Sequence, residues 1–214
     1  SGLIRDPDLA CRIVEKVVAA VGLPVTVKTR LGWCSEHNAI GVEAAVNWCR
    51  RLEDAGARML TLHGRTREQR FSGTADWNAI AAVKAALRIP VIANGDVNSP
   101  EEALRCLRIT GADGVMVGRG SMGAPWLVGQ IDAALSGLPI PTTPAPLDRL
   151  VLAKEQLLAL IEARGDHGLL IARKHMSWTC TGFPGASQFR QQLMRAPTPA
   201  AALDLLDQQM QRIQ

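Results

Sequence analysis

The stretch that decides the fold class is Pro90-Val91-Ile92-Ala93-Asn94-Gly95-Asp96. Its apolar residues predict a short buried strand, and Asn-Gly-Asp predicts the turn at the carboxyl end of that strand. An apolar helical stripe over 75–87 precedes it, and a helix over 100–109 follows it behind the predicted cap Ser99. The chain therefore alternates between helix and strand around this stretch.

The same alternation extends in both directions. The predicted strands are 24–30, 59–63 and 114–118, and the predicted helices are 7–21, 38–55 and one that begins near Ser121. The first of these helices has a cap at Asp6 and Pro7 in its first position. Helices between apolar strands imply parallel pairing with right-handed crossovers, so this part is an α/β fold of about four βα units.

A change in composition divides the chain near residue 140. The segment 137–146 contains four prolines and is predicted to be a linker. Beyond it the sequence shows helical patterns alone, over 147–164, 167–179, 186–195 and 199–213. We therefore expect an α/β domain over 1–140 and a small all-helical domain over 141–214.

Composition excludes several classes of protein. Hydrophobic residues make up 47% and charged residues 21%, which is typical of a folded globular chain. Apolar runs long enough to span a membrane are absent from the sequence. Five scattered cysteines without a C-x-x-C pair argue against a disulfide framework or structural zinc and favour a reducing cytoplasm. Four widely spaced histidines predict no metal site, and a net charge of +4 permits a polyanionic partner without requiring one.

The ends of the predicted strands carry polar or glycine-rich sequence. These ends are Lys28-Thr29-Arg30, His63-Gly64-Arg65-Thr66, Asn94-Gly95-Asp96 and Gly118-Arg119-Gly120. Parallel α/β proteins place their sites at this edge, where glycine backbone, the guanidinium of Arg119 and the dipole of a helix from Ser121 would form an anion cradle. Ordinary βα turns are the alternative interpretation.

Several charged or aromatic residues have open interpretations. Lys28 either faces the site and stabilises negative charge or belongs to a structural ion pair. His63 is a hydrogen-bond donor to a ring carbonyl, a general acid, or only a satisfied polar group. The basic loop 65–71, which includes Arg65, Arg67 and Phe71, could contact RNA, as could Arg173 and Lys174 beside Trp178. For each cluster the alternative is exposed charge on a solvated surface.

Five ordered segments resemble the tRNA-dihydrouridine synthases, most closely the bacterial B-type branch. They are Val25-Thr26-Val27-Lys28-Thr29-Arg30-Leu31-Gly32-Trp33, Leu62-His63-Gly64-Arg65-Thr66-Arg67-Glu68-Gln69, Pro90–Asp96, Asp113-Gly114-Val115-Met116-Val117-Gly118-Arg119-Gly120, and Ala172-Arg173-Lys174-His175-Met176 with Gly182-Phe183-Pro184-Gly185. The resemblance covers essentially the whole chain.

The resemblance implies an enzyme that carries FMN on a TIM barrel and reduces uridine to 5,6-dihydrouridine in tRNA with NADPH. Residues 1–140 would be part of the FMN-binding barrel and 141–214 a helical tRNA-binding domain. The cofactor would be bound by Lys28, His63, Asn94, Gly95, Asp96, Gly118 and Arg119. The tRNA would be contacted by Arg65, Arg67, Arg173 and Lys174. The enzyme would be cytoplasmic, without a metal, a membrane segment or an obligate protein partner.

The sequence departs from the family pattern at the proton donor. The family uses the cysteine of an Asn-x-Gly-Cys-Pro segment, which does not occur here and which we expect to lie upstream of Ser1. A TIM barrel has eight strands and roughly 250 residues, so four predicted strands form the second half of one. We therefore expect a fragment with open sheet edges that is marginally stable or self-associates, binds FMN weakly and does not turn over.

Two alternative functions remain open from the sequence. One is a flavin-dependent barrel oxidoreductase that acts on a small metabolite, although the helical tail with Arg173 and Lys174 favours an RNA substrate. The other is a non-catalytic RNA-binding remnant, which the missing proton donor favours for this chain taken alone.

Overall fold

The structure is a computed structural model of the 214-residue chain, and it describes residues 2–34 and 41–213. The strands are β1 Thr26–Arg30, β2 Met59–His63, β3 Val91–Asn94 and β4 Gly114–Met116. The helices are α1 Pro7–Ala20, α2 Gly41–Asp54, α3 Trp77–Ala86, α4 Pro100–Thr110, α5 Trp126–Leu135, α6 Pro146–Arg164, α7 His167–Thr179, α8 Ala186–Arg195 and α9 Pro199–Ile213. Short 3₁₀ turns span Gly2–Arg5 and Arg119–Ser121.

Side-chain caps begin the helices of the α/β unit. Asp6 accepts a hydrogen bond from the backbone N–H of Leu9 at 3.0 Å, and Ser99 accepts one from Glu102 at 3.1 Å. Each cap satisfies an N–H group that has no partner within its helix. The predicted caps Asp6 and Ser99 are therefore confirmed. The first residues of the predicted helix 38–55 lie outside the described part of the chain, and α2 occupies the remainder.

The four described strands form one parallel sheet in the order β1-β2-β3-β4. Doubly wound sheets reverse their strand order at a switch point, whereas a barrel adds each strand beside the previous one. The observed order therefore agrees with the predicted arc of a barrel. Trp48 of α2 donates a hydrogen bond to the Thr29 hydroxyl at 3.0 Å, so Thr29 faces the helices and Lys28 faces the opposite side.

The region after β4 differs from the prediction. β4 ends at Met116 rather than 118, and the helix expected from Ser121 begins at Trp126 instead. Gly123 has a φ of +75°, which interrupts a right-handed helix, and Pro125 has no N–H to continue one. The prediction of a helix dipole at Ser121 is therefore wrong, because only a 3₁₀ turn occurs there.

The four predicted helices of the tail all occur, as α6 to α9. They pack around an apolar core whose fully buried members include Leu150, Leu157, Met176, Leu193 and Leu206. No helix lies between the end of α5 and the start of α6, as the proline-rich composition predicts. Among the described residues, no helix is both long and apolar enough to cross a membrane.

The chain divides into two compact units. One comprises Ser1–Gly120 with Ala134–Gly137, and the other comprises Ser121–Ala133 with Leu138–Gln214. Most of α5 therefore groups with the helical tail, which places the division about twenty residues before the expected boundary at 140. The roles expected for 1–140 and 141–214 stay predictions.

Candidate functional site at the strand carboxyl ends

Four side chains form a row at the carboxyl ends of the strands. The sheet register pairs Arg30 with His63, His63 with Asn94, and Asn94 with Met116. Partners in a parallel register point to the same side of the sheet, which here is the side opposite Thr29 and the helices. Residues predicted from separate segments therefore lie on one rim.

Lys28 is tied to this row by Asn94. The Nζ of Lys28 donates a hydrogen bond to Oδ1 of Asn94 at 3.0 Å, and Nδ2 of Asn94 donates to the carbonyl of Met116 at 2.8 Å. Asn94 thus connects β1 to β4 from its position on β3. Partial burial of the ammonium and the nearby charge of Arg30 lower the pKa of Lys28.

Arg65 forms a buried ion pair with Asp96. Its side chain is 2% exposed, and its Nη2 lies 2.7 Å from Oδ2 of Asp96. The same guanidinium donates hydrogen bonds to the carbonyls of Ser72 at 3.2 Å and Gly73 at 2.6 Å. The donors of Arg65 are buried and directed to groups of the protein, and its predicted contact with tRNA stays a prediction.

Asp96 joins the loops that follow β2 and β3. Burial raises its pKa, but the hydrogen bond from the backbone N–H of Ala75 and the interactions with Arg65 and Arg119 lower the pKa below the ordinary value overall. The carboxylate is therefore ionised and charge-compensated at neutral pH. Its predicted contact with the ribityl-phosphate region stays a prediction.

Glycines keep the backbone of this rim accessible. Gly95 has a φ of +116°, and a Cβ there would lie 2.8 Å from Cβ of Ala75 and 2.9 Å from Cδ2 of His63. A Cβ on Gly118 would approach nothing closer than Nδ2 of Asn94 at 4.0 Å. Space therefore exists above Gly118 for a ligand to approach the backbone.

Arg119 supplies a cationic group beside that space. Its guanidinium carbon lies 4.3 Å from the centroid of the Phe71 ring, and its Nη2 is 3.6 Å from Oδ1 of Asp96. The side chain is 49% exposed, so the remaining donors can reach a ligand. A guanidinium beside a sterically uncrowded glycine fits a phosphate group, as the FMN prediction requires.

His63 is neutral at physiological pH. Its side chain is buried, and its Nε2 lies 3.5 Å from Nη1 of Arg65. Burial, followed by the charges of Arg30, Lys28 and Arg65, lowers the pKa of His63 to about 4. A neutral ring accepts a hydrogen bond at one nitrogen and donates at the other, so His63 suits the donor role and not that of a general acid.

Aromatic rings that organise arginines were not identified from the sequence. Arg5 and Arg67 each lie 5.0 Å from the centroid of the Trp33 ring, and Arg30 lies 5.9 Å from that of Phe71. These pairs join residues that are far apart in the chain. The sequence offered one signal for these contacts, which is the occurrence of several arginines with Phe71 in loop 65–71. That signal did not show which arginine would lie against which ring.

The basic cluster of the helical unit is only partly available to a ligand. The exposed Lys174 has its Nζ 5.1 Å from the centroid of Trp178. Arg173 is half-buried and donates to the carbonyl of Ala196 at 2.9 Å, while its buried Nε has no hydrogen-bond partner among the described residues. The predicted tRNA contacts of these two side chains stay predictions.

The cysteines resemble core residues rather than acids or ligands. Burial raises the pKa of Cys49 to about 12, that of Cys106 to about 11 and that of Cys180 to about 12. Cys11, which is half-buried on α1, donates to the carbonyl of Arg51. No group of three or more potential metal ligands occurs in the described part of the chain.

A parallel sheet wound in one direction, with basic side chains and glycines at its strand carboxyl ends, is the arrangement of an α/β protein of the barrel type. The sequence comparisons go beyond the fold class and identify the family. The sequence model of the family described as dihydrouridine synthase (Dus) matches residues 1–214, and the chain belongs to this family. The predicted resemblance is therefore confirmed.

Named relatives agree with this assignment. A probable tRNA-dihydrouridine synthase 1 of Synechocystis sp. is 51% identical over 97% of this chain and 57% of the relative, and a tRNA-dihydrouridine synthase B of Xanthomonas campestris pv. campestris is 43% identical over 96% and 60%. The chain thus spans about 60% of the length of the curated relatives it matches. A solved mandelate oxidase matches with a TM-score of 0.41 and 20% identity over 94% of this chain and 60% of that chain, too distant a likeness to assign a property.

Proposed function

We propose that this chain contributes the FMN-binding rim and a tRNA-binding surface to a cytoplasmic enzyme that reduces uridine to 5,6-dihydrouridine in tRNA, with NADPH as the electron source. Membership of the dihydrouridine synthase family and the names of the relatives support the reaction. The single observation that carries the cofactor assignment is the convergence of Lys28, Asn94 and Arg119 on one rim.

Different residues of the rim would bind different parts of the cofactor. Arg119 would bind the phosphate, because a guanidinium matches phosphate oxygens, and the space at Gly118 would let the phosphate approach it. Lys28, held in place by Asn94, would place its positive charge beside the flavin ring, and the neutral His63 would donate a hydrogen bond to it. When bound, reduced FMN supplies the hydride that uracil accepts at C6.

The positive charge of this rim suits a ligand that is both electron-rich and anionic. The charges of Lys28, Arg30 and Arg65 all lower the pKa of His63, and Asp96 is the one described carboxylate whose charge opposes them. Burial weakens the hydration of these cations, so an anion that enters the site recovers favourable interactions. The positive charge of the rim therefore favours an anionic cofactor such as FMN.

An arginine pair around Trp33 would bind the tRNA backbone. Arg5 and Arg67 are exposed, stack on Trp33 and have no carboxylate partner among the described residues. Clustered cations without counter-charges are stabilised by phosphates, which also release condensed counterions. The target uridine must leave its stack to reach the rim, as in other enzymes that act on a base.

The 214 residues taken alone would not complete the reaction. Transfer to C6 requires a proton at C5, and the buried thiols of Cys49, Cys106 and Cys180 have pKa values raised to about 11 or 12. A donor must also lie within hydrogen-bond distance of the reacting atom. We therefore propose that the donor belongs to a segment outside this chain.

The test is a fluorescence titration of the chain with FMN and, separately, with riboflavin, which lacks the phosphate. We expect Arg119→Ala to weaken FMN binding about tenfold and to leave riboflavin binding unchanged, because one charged phosphate contact is worth roughly 1.4 kcal/mol. Arg108→Ala, at an exposed position on α4, is the matched control and should change neither. Equal FMN affinity in wild type and Arg119→Ala would refute the assignment of the phosphate site.

A separate assay addresses turnover. The chain, FMN, NADPH and unmodified tRNA are incubated together, and the nucleosides of the tRNA are analysed by mass spectrometry. We expect no dihydrouridine, and its formation would show that a residue of this chain donates the proton.

A further inference from the structure

The helical unit contains a cavity apart from the rim. It has a volume of about 510 Å³ and lies among the 182–185 loop, α8 and α9. This volume is within the roughly 300–1,000 Å³ of cavities that bind small molecules or single chemical groups. A nucleic-acid duplex is far too wide to enter it, so its ligand is a single group and not a helix surface.

Carboxamides dominate the polar wall of the cavity. Gln188 and Gln192 project from α8, and Gln209 projects from α9 beside Arg212. A carboxamide offers a donor and an acceptor side by side, which is the pattern that reads the edge of a nucleobase. No acidic side chain is among the described residues that line the cavity, so an anionic ligand meets no repulsion from its wall.

The remaining lining of the cavity is largely apolar. Phe183 and Phe189 pack edge to face with ring centroids 5.8 Å apart, and both are buried. Pro146 and Pro184 complete this surface. A flat, poorly hydrated base can pack against such a wall while its edge meets the carboxamides.

We propose that this cavity binds one unpaired nucleotide of the tRNA substrate. The glutamines contact the base edge, Arg212 pairs with the flanking phosphate, and the proline and phenylalanine side chains contact the base face. This inference rests on the proposed function, because it assumes that RNA is the substrate. It differs from the flavin site in the residues that form it and in its ligand, since the nucleotide bound here is not the one that reacts.

The experiment measures fluorescence anisotropy of a short labelled single-stranded RNA with the full 214-residue chain. Gln188→Ala and Gln192→Ala should each weaken binding about fivefold or more, because a bidentate contact to a base contributes about 1–3 kcal/mol. Gln191→Ala and Gln208→Ala are matched controls, since these glutamines lie on the same helices outside the cavity wall. They should stay within about twofold of wild type.

A second measurement locates the bound nucleotide. RNA that contains 4-thiouridine is photocrosslinked to the chain, and the attached peptide is identified by mass spectrometry. We expect crosslinks within 182–192 that a fully paired duplex of the same sequence does not form. Circular dichroism of each variant separates loss of binding from loss of folding.

The outcomes separate this inference from the proposed function. RNA binding that is equal in all four glutamine variants, or crosslinks that lie elsewhere, would overturn the cavity assignment and leave tRNA as the substrate. Absence of any RNA binding would overturn both, while the FMN titration would still test the rim independently. Equal competition by the paired duplex would also refute a site for an unpaired nucleotide.

Discussion

Nη2 of Arg65 donates to both carboxylate oxygens of Asp96, at 2.9 and 2.7 Å, and thereby joins the loop after β2 to the loop after β3. The two residues are thirty-one positions apart in the chain. A third hydrogen bond to the same carboxylate comes from the backbone N–H of Ala75, at 2.7 Å. This ion pair lies directly beside Gly95 in the chain, so Arg65 holds the loop that carries Gly95 and Asp96 in place.

Replacing Arg65 by Met should destabilise the chain by about 2 kcal/mol in free energy of unfolding. Removal of one partner of a buried pair leaves the other charge uncompensated, and the 27% exposure of Asp96 reduces the usual cost. Urea denaturation followed by circular dichroism measures the change. Lys154→Met, which breaks the more exposed pair with Asp207, should cost less than about 1 kcal/mol. Equal costs for the two variants would contradict a structural role for Arg65.

The neutral His63 should make stability depend on pH. Its pKa falls from an ordinary value of 6.5 to about 4 in the folded chain, so the unfolded chain binds the proton more readily. Stability is therefore full above pH 6.5 and is lost as the pH falls towards 4, by roughly 3 kcal/mol. Thermal unfolding of wild type and His63→Gln at several pH values isolates this contribution. The difference between their melting temperatures should shrink or reverse on acidification, and a constant difference would exclude His63 as its source.

Gly95 should tolerate no side chain. Alanine there would combine a φ of +116° with contacts of 2.8 and 2.9 Å, and we expect a loss of about 2–3 kcal/mol in free energy of unfolding. Gly111→Ala shares a positive φ but meets nothing within 4 Å, so it should cost only about 1 kcal/mol. Chemical denaturation of both variants separates backbone strain from steric contact. A Gly95→Ala variant no less stable than Gly111→Ala would show that the loop relaxes.

Local patterns in the sequence predicted most of the fold. β2 occupies Met59–His63 as expected, and the tail helices begin and end within a residue or two of their predicted bounds. These elements succeed because their apolar spacing and their flanking glycines and prolines act over a few residues. The helix expected at Ser121 failed because Gly123 adopts a left-handed conformation, where a Cβ would meet Cβ of Trp178 at 2.6 Å.

Side-chain pairing within the site was much less predictable. The sequence placed Lys28, His63, Asn94 and Arg119 at strand ends, and parallel register brings those ends together. The sequence could not show that Arg65 would be buried. Its partner Asp96 lies in the loop after β3, and the two residues meet only when the chain has folded. The contact of Phe71 with Arg119 was equally unpredictable, because it depends on how the loops after β2 and β4 pack against one another.

Thiol chemistry should distinguish Cys11 from the buried cysteines. Cys11 is half-buried, whereas Cys49, Cys106 and Cys180 are fully buried with raised pKa values. Because the thiolate is the reactive form, a disulfide reagent such as DTNB should modify Cys11 within minutes in the native chain, and Cys49, Cys106 and Cys180 only after unfolding. Peptide mass spectrometry identifies the modified positions. Rapid native labelling of Cys49, Cys106 or Cys180 would contradict their placement in the cores.

The arginine pair around Trp33 should control the salt dependence of tRNA binding. If Arg67 contacts a phosphate, Arg67→Ala should weaken binding of tRNA at low salt and lower the slope of log K against log salt by about one. Trp33 lies against both arginines, so its fluorescence should change on binding in wild type and less in the variant. Arg108→Ala removes the same charge from an exposed position on α4 and keeps the net charge of the two variants equal. An unchanged salt slope in Arg67→Ala, or an equal reduction in Arg108→Ala, would mean that the cluster contributes only general positive charge and no specific phosphate contact.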